Sequence, residues 1–297
     1  MNAITLRHLR YFEALAQHGH FGRAAEACAV SQPTLSVQIK ELEAILGAAL
    51  VERGARRVRL TDLGEALAAR ARDILQRADD LGDLARASCG PLTGPLRLGV
   101  IPTVAPYLLP AVIKTLAARR PGLDLRPREA VTRTLLDELA AARLDAAIVA
   151  LPVASPGLSA TPLLTEAFLL VRPVADADRP VPSAAALRAM RLLLLEEGHC
   201  FRDQAIAFCA AGGAPREMME GSSLSTLVQM VGAGVGVTLI PEMAAPVEAR
   251  AAPVAVARLA PPQPTRVIGM VWRRTTPLAE QLRQIADIVR EAASARA

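Results

Sequence analysis

The 297-residue chain contains no apolar run approaching the roughly 18 residues that a helix needs to cross a bilayer. Its first twenty residues, MNAITLRHLRYFEALAQHGH, lack the unbroken apolar core of a secretory leader, so a cytoplasmic protein with no membrane partner is expected. Cysteine is scarce, and the four that occur, at 28, 89, 200 and 209, are too scattered for the disulfide scaffold of a secreted domain. No C-x-x-C is present, and His8, His18, His20 and Cys28 fall at no recognised zinc spacing, so neither a metal nor any other cofactor is indicated. Lysine is nearly missing; Lys40 and Lys114 stand alone and arginine carries the rest of the basic charge. Strong charge of one sign is missing too. The formal net charge is +5, and residues 1–60 hold eight basic against five acidic residues, residues 61–90 four against six. What remains is 52% apolar and 21% charged, enough to bury a core, and the length suits two or three domains.

The first sixty residues read as three helices and a ribbon. Leu6, Leu9, Phe12, Leu15 and Ala16 recur at helical spacing and stop at Gly19. A short second helix from Phe21 is rich in small residues, which lets a third helix cross it closely. That third helix opens at Ser31-Gln32-Pro33, with Ser31 as N-cap and Pro33 in the first turn, and runs to Gly47. Val30, Leu35, Ile39 and Leu42 form its apolar side, leaving Gln32, Thr34, Ser36, Gln38 and Lys40 outward. Polar side chains at the start of such a helix can hydrogen-bond base edges or phosphates in a major groove. The same spacing suits a three-helix domain with no nucleic-acid partner. The segment Val51–Leu60, which alternates apolar and basic residues around Gly54-Ala55, favours the reader, because Arg53, Arg56, Arg57 and Arg59 would ride on the sugar-phosphate backbone as a wing.

From Leu63 through Leu67, Ala71, Ile74, Ala78 and Leu81 to Ala85, apolar residues at spacings of three and four predict a helix of about seven turns with a coiled-coil-like seam. Pro91, Gly94 and Pro95 break it. Beyond them, short apolar strands alternate with helices, which predicts an α/β fold with a parallel, doubly wound sheet and a late strand, Arg266–Trp272, returning to the first half. The expected division is a winged helix-turn-helix at 1–60, a dimerising linker helix at 61–90 and an effector domain at 91–297. Within the last, one subdomain covers about 91–165 and 267–297 and the other about 166–266. Gly232-Ala-Gly-Val-Gly-Val looks like part of a dinucleotide fingerprint but follows a helix and precedes a strand, the reverse of what phosphate binding needs.

At Phe21-Gly-Arg-Ala-Ala-Glu and Val30-Ser-Gln-Pro-Thr-Leu-Ser-Val-Gln-Ile-Lys-Glu-Leu-Glu the chain resembles the LysR-type transcriptional regulators. The resemblance covers the whole chain and implies a winged reader, a linker helix and a periplasmic-binding-protein-like effector domain of two α/β subdomains. Ile101-Pro-Thr-Val-Ala-Pro-Tyr-Leu-Leu-Pro, Glu196-Glu-Gly-His-Cys-Phe-Arg-Asp-Gln-Ala, Phe208-Cys and Ser223-Leu-Ser-Thr-Leu resemble the peroxide-sensing OxyR branch in particular. The implied partners are double-stranded promoter DNA, a second copy of the chain and a dimer of such dimers, hydrogen peroxide, RNA polymerase and a cellular disulfide reductant. General family members lack the Cys200/Cys209 pair.

In one helix those cysteines would be separated by about 13.5 Å of rise and half a turn. A disulfide needs Cα atoms within roughly 7 Å, so the bond can form only if the helix between them unwinds. Oxidation would therefore be a conformational change. His199, Arg202 and a helix N-terminus around Cys200 favour a thiolate, which makes Cys200 the expected peroxidatic residue and Cys209 the resolving one. The resemblance further implies a peroxide pocket to which Thr103, Thr132, His199, Arg202 and Asp203 correspond, although either threonine also suits a helix N-cap. Two other functions stay open on sequence: a LysR-type regulator that binds a small organic anion between its subdomains, and, more remotely, a thiol peroxidase. The expected protein is a regulator and not an enzyme.

Overall fold

Thr5 opens the first helix by accepting a hydrogen bond from the His8 amide, while the His8 ring accepts one from the Thr5 amide. Gly19 closes it in the left-handed region that glycine adopts without strain. The computed structural model describes residues 3–52, 58–88, 90, 92–209 and 217–295, which fall into two units, residues 1–85 and 86–297. In the first, α1 (Leu6–His18), α2 (Phe21–Ala27) and α3 (Gln32–Leu46) pack around Phe12, Leu15, Ala24, Ala25, Leu35, Ile39 and Leu42. Ser31 caps α3 by accepting from the Thr34 amide, and Gly47 ends it. A single antiparallel bridge joins Val51 to Leu60 and forms the base of the ribbon, followed by α4 (Asp62–Ser88). Arg53, Arg56 and Arg57 lie outside the described residues.

The second unit runs β1 (Gly94–Val100), α5 (Ala105–Arg119), β2 (Leu123–Glu129), α6 (Thr132–Ala140), β3 (Ala146–Leu151) and β4 (Leu158–Pro173). It continues with α7 (Ala184–Leu187), β5 (Arg191–Leu195), α8 (Cys200–Cys209), β6 (Glu217–Gly221), α9 (Leu224–Gly232) and β7 (Val237–Pro241). The last elements are α10 (Ala245–Glu248), β8 (Val254–Arg258), β9 (Thr265–Arg273) and α11 (Ala279–Ser294). The strands are ordered β2-β1-β3-β9-β4-β7-β5-β6, with β8 also on β4. β4 belongs to both halves: Leu158–Ala167 pairs with β9, and Phe168–Pro173 with β7 and β8. One apolar core lies under β1, β3, β9, α5 and α11, a second under β5, β7, α8 and α9.

The α/β class holds, but the sheet is mixed. β1 pairs in parallel with β2 and β3, and β5 with β6 and β7, whereas β9 is antiparallel to β3 and β4. The antiparallel strands are those that carry the chain between the halves, where no crossover helix reverses direction. The apolar run at 167–172 covers only the second half of β4. Its first half, with Ser159, Thr161, Pro162 and Thr165, is partly exposed and shows no apolar run. β6 and β8 bury no apolar run either: both are short, Met218, Met219 and Glu220 are exposed, and the residues of β8 are at least partly exposed. The glycine run at 232–236 is a packing device: a Cβ on Gly236 would sit 2.4 Å from the Arg191 carbonyl oxygen.

Candidate functional site

On α3, Gln32, Pro33, Thr34 and Lys40 are exposed, whereas Ser36 and Gln38 are half-buried. The Thr34 hydroxyl lies 2.8 Å from Ser31 Oγ, and Gln38 donates to Glu41 at 2.8 Å, so these two groups would exchange partners on meeting a base edge or phosphate. Arg59 is exposed on the ribbon, whose base is held by the Glu52 amide donating to the Arg59 carbonyl and by Glu43 accepting from the Leu50 and Val51 amides. Val37, absent from both the apolar side and the polar face expected from the sequence, is 60% exposed amid this polar face. It has the chemistry to meet a thymine methyl.

The second site lies at the carboxyl ends of β1, β2 and β5. The turn after β1 supplies Ile101, Pro102 and Thr103, the segment after β2 supplies Val131 and Thr132, and the segment after β5 supplies His199 and Cys200. Together they line a shallow, narrow recess. Open α/β sheets place ligands in such crevices. Cys200 is half-buried and is the first residue of α8, so it stands at the positive end of that helix. Neither threonine is an N-cap: those positions belong to Val104 on α5 and Val131 on α6. The buried Thr132 hydroxyl has no hydrogen-bond partner among the described residues. Burial lowers the His199 pKa from 6.5, against the pull of Glu196 and Glu129, so the ring is neutral at pH 7.

Two expected members stand apart. Arg202 does not line the recess; its guanidinium donates to the Leu195 carbonyl at 2.9 Å and to Glu220 at 2.6 Å. Asp203 is exposed on the next position of α8. Cys209, at the far end of the helix, is fully buried among the second core, and burial pushes its thiol up to about 11, against the pull of Arg188. Cys200, Cys209 and Cys28 are free thiols. Cys28 packs against the N-terminal core with its pKa raised by burial and by Glu13; Cys89 lies outside the described residues.

Behind the recess is a buried network. Arg266 on β9 donates to the Thr103 hydroxyl at 2.8 Å and to its carbonyl at 3.1 Å, and pairs with Glu166 on β4 at 2.8 Å. Glu166 also accepts from the Met243 amide at 3.0 Å. The Arg266 guanidinium lies 5.2 Å from the ring centre of Phe201, the residue after Cys200, and that ring stacks on Phe168 with centroids 4.6 Å apart. In the sequence Arg266 is only a charge at the start of a strand. Among the described residues no three His, Cys, Asp or Glu side chains converge on a metal-sized space.

Residues 6–65 match the bacterial regulatory helix-turn-helix family of lysR proteins, and residues 90–294 match the LysR substrate binding domain. Over 98% of its length the chain is 44% identical to a probable hydrogen peroxide-inducible genes activator of Mycobacterium avium, covering 95% of that protein. It is 41% identical to the DNA-binding transcriptional dual regulator OxyR of Escherichia coli K12, covering 97% of this chain and 95% of that one. Among solved structures, a full-length OxyR cysteine-to-aspartate variant from Pseudomonas aeruginosa superposes with a TM-score of 0.75 at 37% identity, covering 98% of this chain and 96% of that one. A hydrogen peroxide-bound cysteine-to-serine variant of Corynebacterium glutamicum OxyR gives 0.67 at 36% identity, with 99% and 94% covered. The chain belongs to the LysR family of bacterial transcriptional regulators.

Proposed function

We propose that this regulator binds promoter DNA through α3 and the ribbon and responds to hydrogen peroxide through a reversible disulfide between Cys200 and Cys209. One observation carries the reading: an unpartnered Thr132 hydroxyl, the Thr103 hydroxyl and a neutral His199 share a small recess with a half-buried cysteine at a helix N-terminus. The recess suits a small neutral hydrogen-bonding molecule. Thr103 accepts from Arg266 and keeps its own proton to donate; Thr132 can donate or accept. Relatives named for hydrogen peroxide-inducible genes, and the peroxide-bound neighbour, support this choice of ligand.

The Cys200 thiolate attacks one peroxide oxygen, an S–O bond forms, the O–O bond breaks, and hydroxide leaves and takes a proton to become water. The sulfenic acid is then attacked by the Cys209 sulfur; the S–S bond forms, the S–O bond breaks, and a second water leaves. Two thiols are oxidised and one peroxide is reduced to two waters. With α8 intact, nine residues of rise, about 13.5 Å, keep the sulfurs apart, so closure requires the helix to open. A thiol reductant returns the pair to the reduced form.

The small-anion reading finds no cation among the described residues that line the recess. Arg266, the buried guanidinium behind the recess, is already matched by Glu166, and His199 is uncharged at neutral pH. The test compares peroxide-treated wild type, Cys200→Ser and Cys209→Ser. The expected result is a changed DNA footprint in the wild type only, with a sulfenic acid trapped by dimedone at Cys200 of Cys209→Ser. A Cys200→Ser protein whose footprint still responds to peroxide would overturn the reading.

A further inference from the structure

The Arg202 guanidinium, expected beside the reactive sulfur, is instead held by the Leu195 carbonyl at the end of β5 and by Glu220 on β6. Arg202 is nearly buried, its side chain 11% exposed, while Glu220 is 47% exposed. The carboxylate thus reaches in from the edge of the sheet and fixes the cation within the first turn of α8. We propose that Glu220 is a positioning residue that restrains Cys200: by holding and neutralising Arg202 on β6 it withholds positive charge from the Cys200 sulfur and keeps the head of α8 docked. This inference rests on the redox reading of Cys200 for its biological meaning but not for its chemistry.

The other charges near Cys200 leave this role to Glu220. On its own segment lie Glu196, Glu197 and Asp203, all exposed to solvent, and His199, which is neutral. From packed elements come Glu129 at the end of β2, which acts on His199, and Arg133 at the head of α6. Arg266 beneath is matched by Glu166. Glu220→Gln keeps the shape and removes the charge, whereas Glu220→Asp keeps the charge. Loss of the carboxylate leaves the Arg202 cation, two residues along α8 from Cys200, without its acidic partner, which favours an anion at the head of the helix. The pair is partly open to solvent, so the effect is moderate and screened by salt.

The experiment follows alkylation of Cys200 by iodoacetamide against pH, resolved by peptide mass, in the full-length reduced protein, with peroxide oxidation of the same samples as a second arm. Glu220→Gln is expected to alkylate at Cys200 about three- to tenfold faster at pH 7, with the midpoint of the profile moved to lower pH. Glu220→Asp should stay close to wild type. Equal midpoints and rates in wild type and Glu220→Gln would overturn the proposal, as would a Glu220→Asp protein shifted as far as Glu220→Gln. If the alkylation profile shifts but wild-type Cys200 ignores peroxide, the restraint stands and the peroxide reading fails.

Discussion

Thr103 and Thr132 face the same recess, yet their substitutions should separate cleanly. The Thr132 hydroxyl is buried without a partner, so Thr132→Val removes an uncompensated polar group; thermal unfolding should be unchanged or slightly higher, while oxidation of Cys200 by peroxide slows about tenfold through loss of one hydrogen bond to the oxidant. Thr103→Val strips Arg266 of an acceptor inside the protein and should cost about 1–3 kcal/mol in denaturant unfolding. His199 supplies a pH signature. Its folded pKa lies below the unfolded 6.5, so the unfolded chain binds more protons as pH falls through that value, and stability drops from there toward the lowered folded pKa. His199→Gln should flatten that part of the stability-against-pH curve. For Cys209 the sign reverses on the alkaline side: a thiol raised from 9.0 to about 11 stays protonated when folded, so stability falls as pH rises from 9 toward 11.

Among the elements, α8 is the one whose two states matter. Ala207 is exposed on it, and Ala207→Gly weakens the helix by about 1 kcal/mol without touching a core contact. If the proposed disulfide forms only with that helix opened, the substitution should make the Cys200–Cys209 reduction potential about 20 mV more negative, measured against a glutathione redox series. The helix was legible in the sequence because its Gly-His-Cys start follows an apolar strand, and the nine-residue spacing of its cysteines was legible as geometry. The contrast between their environments was not, since Cys209 is buried in the second core on a helix packed against β5 and α7, which come from other parts of the chain. The same holds for Thr103, Thr132 and Arg266, brought to Cys200 by β1, β2 and β9: long-range pairing leaves no local pattern, and the threonines entered only through resemblance. On α3 the cap, the core stripe and the polar face follow from helical periodicity and were readable, but the exposure of Val37 was not. Val37→Ser should weaken binding to specific DNA while leaving nonspecific binding and its salt slope unchanged, because the valine meets no phosphate.

At the scale of the whole molecule, α4 leaves Leu63, Ile74, Leu81 and Leu84 between 48% and 68% exposed or nearly so, with Ile74 at 47%, along a helix of 27 residues. So much apolar surface on one helix suits a second copy of the chain, which would pair two DNA readers. Leu81→Asp should shift the protein toward monomer in analytical ultracentrifugation and weaken operator binding by about 10²-fold, since the second reader no longer binds from a tethered position. A dimer also gives the refolding of α8 something to act on, by altering how two readers meet their half-sites. The most direct measurement is non-reducing peptide mass mapping of reduced and peroxide-treated protein, with DNA footprinting on the same two samples. The account predicts a linked Cys200–Cys209 peptide pair only after peroxide, together with a changed footprint that a thiol reductant reverses. Stoichiometric linkage of those cysteines with an unchanged footprint, or a changed footprint with both cysteines still free, would contradict it.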